Sequence, residues 1–107
     1  MKFEVFLISD AEKDILDIFK YIIFSDSKEK AEYVFHKIEE TCKSLCSLPD
    51  RGHIPPELKR IGVMNFKEIH YKSYRIVYEI INKKVFVHCV LDGRRNLQEI
   101  LEYRLLR

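Results

Sequence analysis

The sequence predicts an α+β domain in which helices pack on a largely antiparallel sheet. Two runs rich in β-branched and aromatic residues, 74–81 and 85–91, are joined by a short polar interruption, which is typical of a β-hairpin. Upstream, residues 10–48 carry apolar side chains at helical spacing. We therefore predict an N-terminal strand, an antiparallel helical hairpin, a three-stranded antiparallel meander and a C-terminal helix, with the helices covering one face of the sheet.

The composition is that of an ordinary globular protein. The chain has 107 residues, of which 47% are hydrophobic and 34% charged, so we expect one domain spanning residues 1–107. No apolar run approaches the roughly 20 residues that cross a bilayer, and the first residues lack the features of a signal peptide. We expect a cytoplasmic protein that does not engage a membrane.

The three cysteines are an odd number without an export signal, so a disulfide framework is not expected. Cys42 and Cys46 would share a helix face, and His36 and His88 are the histidines nearest to a cysteine in the pattern. Without a CxxC spacing, core packing explains these cysteines better than a metal site. We expect no metal and no cofactor.

The first half of the chain predicts one strand and two helices. Residues 2–8 alternate weakly and form the strand, and Ser9 with Glu12 matches a capping box that begins a helix ending near Phe24. The turn 25–27 supplies the next N-cap, and the second helix stops before Pro49. So short a connection makes the two helices antiparallel neighbours.

The second half predicts the sheet and the last helix. Residues 49–56 form the main loop, and 57–64 read either as a turn of helix or as an irregular approach to the sheet. Residues 66–71 resemble a charged edge strand, whereas 85–91 is apolar at nearly every position and fits an inner strand. Asn96 then caps a terminal helix with a narrow apolar stripe.

Charge is distributed unevenly along the chain. Residues 1–50 hold 7 Lys or Arg and 11 Asp or Glu, a net charge of −4, whereas residues 51–107 hold 12 and 6, a net charge of +6. A basic second half favours a polyanion or an acidic partner. An uneven surface without a partner is the alternative that charge alone leaves open.

The polar residues of the sheet half suit a nucleic-acid surface or an RNA-cleaving site, because cleavage needs a base, an acid and cations for the developing phosphorane charge. In that hypothesis Glu68 or His70 is the base, Arg75 with Arg94 or Arg95 is the cationic clamp, and His70 or Tyr71 is the acid. The alternative is ordinary surface pairing, including bridges from Arg94 and Arg95 to the carboxylates of Glu99 or Asp92. No GxGxxG, P-loop, HExxH or GxSxG motif is present.

Several segments together resemble the RelE/ParE superfamily of bacterial toxins. These are Tyr74-Arg75-Ile76-Val77-Tyr78, Val90-Leu91-Asp92-Gly93-Arg94-Arg95, and the loop Leu48-Pro49-Asp50-Arg51-Gly52-His53 with Glu57-Leu58, the last being similar to the plasmid-stabilisation branch. The resemblance covers nearly the whole chain. It implies the toxin of a type II toxin–antitoxin pair, held inactive in a hetero-oligomer by an antitoxin that wraps it.

The superfamily contains two mechanisms, ribosome-dependent mRNA cleavage in RelE-like members and poisoning of DNA gyrase in ParE-like members. Arg75 and Arg95 match positions where RelE-like nucleases carry catalytic arginines, but Leu101 stands where a tyrosine is expected. Of the paired lysines of the second strand only Lys67 remains, and the helical hairpin is long in the ParE-like manner. The resemblance thus favours gyrase poisoning.

Three hypotheses follow from these departures. The first is a gyrase-poisoning toxin, the second a ribosome-dependent mRNA endoribonuclease, which is the enzyme class implied if the protein is an enzyme, and the third a non-toxic nucleic-acid-binding or scaffold domain. Lys67, Tyr71 and Arg94 are the residues expected to contact a target or nucleic acid. We expect the antitoxin to bring an acidic, amphipathic segment to the basic half, by strand addition or by a helix in a groove.

Overall fold

A computed structural model describes residues 2–106. The strands are β1 (Glu4–Leu7), β2 (Lys67–Tyr71), β3 (Tyr74–Ile81) and β4 (Lys84–Asp92). The helices are α1 (Ser9–Ser25), α2 (Lys28–Lys43), α3 (Pro56–Lys59) and α4 (Gln98–Leu105), with short 3-10 turns at Ser44–Cys46 and Pro49–Arg51. This order confirms the predicted α+β class. None of the helices in residues 2–106 is long and apolar enough to span a membrane.

The four strands form one mixed sheet in the order β1-β4-β3-β2. The β2–β3 and β3–β4 pairs are antiparallel, as the meander requires, and β1 adds to β4 in parallel. Parallel pairing needs a long crossover, which is provided by the whole chain between β1 and β4, including α1 and α2. β4 is therefore an inner strand, as its continuous apolar run predicted.

Two-residue turns join the strands of the meander. Lys72-Ser73 connects β2 to β3, and Asn82-Lys83 connects β3 to β4. Lys72 and Asn82 have φ of +52° and +58°, the left-handed conformation that such turns use. The polar interruption predicted at 82–84 is thus shorter by one residue, because Lys84 pairs with Ile81 inside the sheet.

A β-bulge in β4 exchanges the two faces of that strand. Val77 pairs with Cys89 while Tyr78 pairs with Val87, which leaves His88 as the extra residue. Val87 packs on one side of the sheet and Cys89 on the other, although the two would share a face in a regular strand. Because of the bulge, apolar side chains of β4 pack into hydrophobic clusters on both faces of the sheet.

The first core lies between the sheet and the helical hairpin of α1 and α2. Its buried members include Ile15, Ile38 and, on the sheet, Ile76. Ser27 caps α2 by accepting a hydrogen bond from Lys30 N at 3.1 Å, as predicted. The capping box predicted at Ser9 is wrong, because α1 already includes Ser9 and its N-cap position has no side-chain hydrogen bond.

The second core lies on the opposite face of the sheet. Its buried residues come from α3, α4 and the strands: Leu58, Phe66, Val77, Cys89, Leu97 and Leu101. The expectation that helices cover only one face is therefore wrong. The short helix α3 resolves the ambiguous segment 57–64 and places Glu57 beside the sheet.

The loop between α2 and α3 is fastened to the sheet at two points. The Tyr78 hydroxyl donates a hydrogen bond to Pro49 O at 2.5 Å. Gly52 lies so close to Tyr78 that a Cβ added to Gly52 would collide with the Tyr78 hydroxyl. His53 then forms an isolated antiparallel bridge with Glu68 of β2. The loop is thereby held against the outer edge of the sheet, where the site described next is found.

Candidate functional site

The predicted site residue Arg75 lies in a buried ion cluster with Glu57 of α3 and Glu68 of β2. Its Nη1 and Nη2 donate to Glu57 Oε2 and Oε1, both at 2.7 Å, and its Nε donates to Glu68 Oε1 at 2.6 Å. Arg75 is 9% exposed and Glu68 is 1% exposed. Such a bidentate geometry gives strong, charge-assisted hydrogen bonds. We call these three residues the Arg75 cluster.

Hydrogen bonds within the Arg75 cluster shift the pKa values of Glu57 and Arg75 toward their charged forms. Hydrogen bonds from Arg75 lower the pKa of Glu57, against the desolvation that would raise it. In return, the hydrogen bond to Glu57 raises the pKa of Arg75, and Glu68 acts in the same direction. With two carboxylates and one guanidinium, the cluster carries a net charge of −1.

Two histidines surround the buried carboxylate of Glu68. His53 Nε2 lies 2.8 Å from Glu68 Oε2, and His70 Nε2 lies 3.8 Å from the same oxygen. The two imidazole rings meet edge to face with their centroids 5.5 Å apart. Both histidines are exposed, so one side of this group is open to solvent.

His53 is a residue that sequence reasoning missed. It lies 15 residues before Glu68 in a loop, and no periodicity links the two positions. Their meeting depends on the backbone bridge, in which His53 N donates to Glu68 O at 3.2 Å and Glu68 N donates to His53 O at 2.7 Å. The alternation of β2 did place Glu68 and His70 on one face, since they are two residues apart.

Arg95 and Arg94 lie after β4, away from the contacts of Arg75. Arg95 is exposed and lines a cavity of about 400 Å³ beside α1. The other residues of this wall are Asp14, Asp17, Ile18, Tyr21, Tyr74, Val90, Leu91 and Asp92. Arg94 is bound to Asp92, with Nη2 to Oδ2 at 2.7 Å, which is the carboxylate bridge that the sequence offered as an alternative.

The carboxylates of this cavity also have basic partners. Arg104 donates to both carboxylate oxygens of Asp14, at 3.1 and 2.9 Å, and Lys13 binds Asp17 at 3.0 Å. Asp14 also accepts from Val90 N at 3.0 Å, so it satisfies the edge of β4 beyond the end of β1. The cavity wall therefore carries both signs of charge, with Arg95 beside Asp14, Asp17 and Asp92.

The remaining predicted contact residues lie elsewhere on the sheet. Lys67 is half-buried on β2, and Tyr71 packs against the helical hairpin core. The Tyr71 hydroxyl is buried without a hydrogen-bond partner in residues 2–106, and desolvation raises its pKa. The structure thus brings Arg75, Glu68 and His70 together, whereas Arg94 and Arg95 form a separate group.

The position of the expected tyrosine and the cysteines considered for a metal site do not come together in the structure. Leu101, at the position where a tyrosine was expected, is fully buried in the second core. Cys42 and Cys89 are buried in different cores, and desolvation raises the pKa of each thiol to about 12. Both thiols therefore stay protonated at neutral pH, which disfavours nucleophilic or metal-binding roles.

Comparison with solved structures shows the same fold in toxin–antitoxin complexes. A chain of the chromosomal ParDE toxin–antitoxin system from P. aeruginosa matches with a TM-score of 0.70 and 15% identity, covering 83% of this chain and 94% of that chain. A chain of the toxin–antitoxin complex RelBE2 from Mycobacterium tuberculosis matches with a TM-score of 0.63 and 13% identity, covering 86% and 92%. At these identities the likeness concerns the fold.

Sequence comparison supplies the family. A search of curated protein sequences gave no match. Residues 5–97 match the sequence model of a family described as the ParE toxin of the type II toxin–antitoxin system parDE. That match covers most of the chain and agrees with the resemblance of the loop, the third strand and the Asp92-Gly93-Arg94-Arg95 turn. The chain belongs to the ParE toxin family of type II toxin–antitoxin systems.

Proposed function

We propose that this protein stops bacterial growth by poisoning DNA gyrase in the cytoplasm, and that a cognate antitoxin neutralises it. The observation that carries the proposal is the ParE family match over residues 5–97. The burial of Arg75 and the exposure of Arg95 support it over RNA cleavage.

The Arg75 cluster argues against phosphate chemistry at that position. A catalytic arginine must direct N–H donors at the developing phosphorane charge. Three nitrogens of Arg75 already donate to Glu57 and Glu68, and the side chain is almost entirely buried. A phosphate approaching this cluster would also meet its net negative charge.

The cavity beside Arg95 supports a protein target. A surface that tracks nucleic acid presents basic side chains along its length. Here Arg95 stands among Asp14, Asp17 and Asp92, next to the rings of Tyr21 and Tyr74. Tyrosine and arginine beside a half-apolar wall are the residue types that anchor protein–protein interfaces. We assign Arg95 to target binding on this basis.

The antitoxin is expected to contact the basic half of the chain. Its segment would be acidic and amphipathic, since residues 51–107 carry a net charge of +6. Part of the outer edge of β2 is already occupied by the His53 bridge, which limits strand addition at Glu68. A helix laid in a groove is therefore the favoured mode of binding. Weakening of the complex by salt would support this electrostatic contribution.

A second candidate function is ribosome-dependent mRNA cleavage. The specific observation in its favour is the pair of exposed imidazoles, His53 and His70, beside the Glu68 carboxylate. Two histidines and a carboxylate contain the groups needed for general acid–base catalysis. In this mechanism Glu68 and His70 would act as predicted from the sequence, with His53 added.

Expression without antitoxin tests both functions. The chain is induced from a tightly repressed promoter, and we expect growth arrest, an SOS response and gyrase-dependent DNA breaks. Purified gyrase incubated with the protein should accumulate cleaved DNA. Cleaved transcripts without DNA breaks would refute gyrase poisoning and support the ribonuclease. Normal growth with abundant folded protein would refute both and favour a non-toxic binding or scaffold domain.

A further inference from the structure

We propose that His53, Glu68 and His70 form a binding site for a divalent transition-metal ion of the zinc type. The ligand atoms are His53 Nε2, His70 Nε2 and a carboxylate oxygen of Glu68, all within 4.8 Å of one another. The proposal concerns metal binding and does not depend on which cellular target the protein inhibits.

The spacing of the three ligand atoms fits tetrahedral coordination. Metal–ligand bonds of about 2.1 Å place the ligands of a zinc ion about 3.4 Å apart. The observed distances from Glu68 Oε2 are 2.8 Å to His53 and 3.8 Å to His70, one shorter and one longer than that separation. Small rotations of exposed imidazoles bring both to the required distance, since their rings are 60% and 48% accessible.

The backbone holds the three ligands on one face of the sheet. Glu68 and His70 are two residues apart on β2, so their side chains point to the same side. His53 stands directly opposite Glu68 in the antiparallel bridge, which brings its side chain to that side as well. A site built on a paired strand is positioned more precisely than one on a free loop.

Arg75 holds the proposed metal-binding carboxylate of Glu68 in place by a hydrogen bond. Arg75 Nε donates to Glu68 Oε1 at 2.6 Å and so leaves Oε2 for the ion. Glu57 in turn neutralises Arg75 through two hydrogen bonds of 2.7 Å. The pair of Arg75 and Glu57 therefore adds no net positive charge beside the ligand carboxylate of Glu68, and outer contacts of this kind fix ligand orientation.

The chemical type of the three ligand atoms determines which metals the site can bind. Imidazole nitrogen suits zinc, copper, nickel and iron, whereas calcium and magnesium require oxygen ligands. Two histidines and one carboxylate leave a position for water, because the histidine side of the site faces solvent. A bound ion would replace the direct contact of 2.8 Å between His53 Nε2 and Glu68 Oε2 and would join the loop to β2.

Isothermal titration with zinc chloride tests the site. The full-length chain carries a purification tag without histidines, since a polyhistidine tag would itself bind zinc. We expect one ion per chain, and His53→Ala and His70→Ala should each weaken the affinity at least about tenfold, which is the lower limit for losing even an outer contact. His36→Ala is the matched control, because His36 is an exposed histidine on α2 whose nearest acidic partner is Glu39.

Unfolding in denaturant gives a second measurement. Zinc at one hundred times its dissociation constant should raise the folded-to-unfolded ratio of the wild-type chain about a hundredfold, and the two histidine variants should lose this effect. Both variants change exposed side chains, so they should keep the fold, and circular dichroism verifies this. Zinc affinity that is absent in the wild type, or equal in wild type, His53→Ala and His70→Ala, would overturn the proposal.

Discussion

Arg75 and Arg95 were both predicted from the sequence to be site residues, but the fold buries one and exposes the other. Arg75 lies near the start of β3 and Arg95 follows the end of β4, and the sequence resemblance implied a catalytic arginine at both positions. Arg75 is 9% exposed and is bound by Glu57 and Glu68, whereas Arg95 is exposed and makes no side-chain hydrogen bond or ion pair within residues 2–106. The comparison separates a structural arginine from one that is available to a partner.

The difference follows from what each side chain faces. Arg75 lies on the face of β3 that α3 covers, and Gly93 packs against its aliphatic stem, where an added Cβ would collide with Arg75 Cγ and Cδ. Arg95 follows the end of β4, where the chain leaves the sheet. Arg75 is buried on the face of the sheet that carries the second core, and Arg95 lines the cavity beside α1. Four substitutions, taken from the largest expected effect on stability to the smallest, test this separation.

Replacing Arg75 with alanine should cause the largest loss of stability. The change leaves the carboxylates of Glu57 and Glu68 buried without their cation, which costs about 3–5 kcal/mol of unfolding free energy. Urea unfolding followed by circular dichroism measures the loss. Arg94→Ala is the control, since the Arg94 side chain is 71% exposed and its removal should leave the free energy of unfolding nearly unchanged.

A loss below about 1 kcal/mol for Arg75→Ala would contradict the structural role. It would indicate that the carboxylates are solvated in solution and that Arg75 is free to meet a substrate. The toxicity of the variant distinguishes the two cases further. A structural arginine lowers toxicity only in proportion to the folded fraction, whereas a catalytic one abolishes it in a chain that remains folded.

Glu57→Gln should have the next largest effect and should depend on pH. The folded-state pKa of Glu57 lies below the unfolded value, so its stabilisation is present above the unfolded pKa, near 4.5, and is lost as pH falls through the folded pKa. At pH 7 the substitution should cost about 2 kcal/mol, the contribution of hydrogen bonds to a charged group. Urea unfolding from pH 7 to pH 3 should give a flatter acid limb for the variant.

Asp92→Asn is the matched control at the other arginine site. Hydrogen bonds from Arg94 lower the pKa of Asp92 as well, but the Arg94 side chain is 71% exposed, so solvent reaches the pair. Exposed pairs are screened by solvent, so the substitution should cost no more than about 1 kcal/mol and leave most of the acid limb unchanged. Equal pH profiles for Glu57→Gln and the wild type would show that Glu57 does not contribute to acid sensitivity.

Local pattern predicted the strands of this protein well and their partners poorly. The alternation and β-branched content of residues 74–91 identified the hairpin, and the same alternation placed Glu68 and His70 on one face. The bulge at His88 was hidden, because a continuous apolar run looks the same in either register. The pairing of β1 with β4 and the second core on α3 and α4 also depend on contacts between distant segments.

The candidate functional site also depends on contacts between distant segments that local sequence patterns do not predict. Arg75 and Glu68 were both singled out for chemistry, but their meaning depends on Glu57, which lies 18 residues before Arg75 in a segment with an ambiguous pattern. His53 has the same dependence on a bridge that only the folded loop creates. Family resemblance proved the stronger guide to identity, since its motifs join segments that local patterns treat separately.

Tyr78→Phe tests whether the loop is fastened independently of the Arg75 cluster. The substitution removes the hydroxyl that donates to Pro49 O and leaves that buried carbonyl unpaired, a cost of about 1–2 kcal/mol. Combined with Arg75→Ala, its effect should add, because the two side chains point to opposite faces of β3. Urea unfolding of the two single variants and the double variant provides the measurement, and a coupling energy above about 0.5 kcal/mol would show that the loop and the cluster act as one unit.

Arg95→Ala should have the smallest effect on stability and a large effect on function. An exposed side chain without an internal partner contributes within about 0.5 kcal/mol to the unfolding free energy. If Arg95 anchors the target, the variant should still fold but arrest growth weakly, and it should yield less gyrase-cleaved DNA at equal protein concentration. Loss of a central interface arginine commonly costs about 2 kcal/mol of binding, which corresponds to a roughly thirtyfold weaker complex.

Arg60→Ala is the matched control for this last substitution, since Arg60 is also an exposed arginine but follows α3 on the other face of the sheet. It should retain full toxicity. If Arg95→Ala and Arg60→Ala were equally toxic, the cavity beside α1 would not be the surface that meets the target. If both variants lost toxicity with unchanged folding, the total basic charge of the second half of the chain would determine toxicity. Arg75 and Arg95 would then differ in burial but not in function.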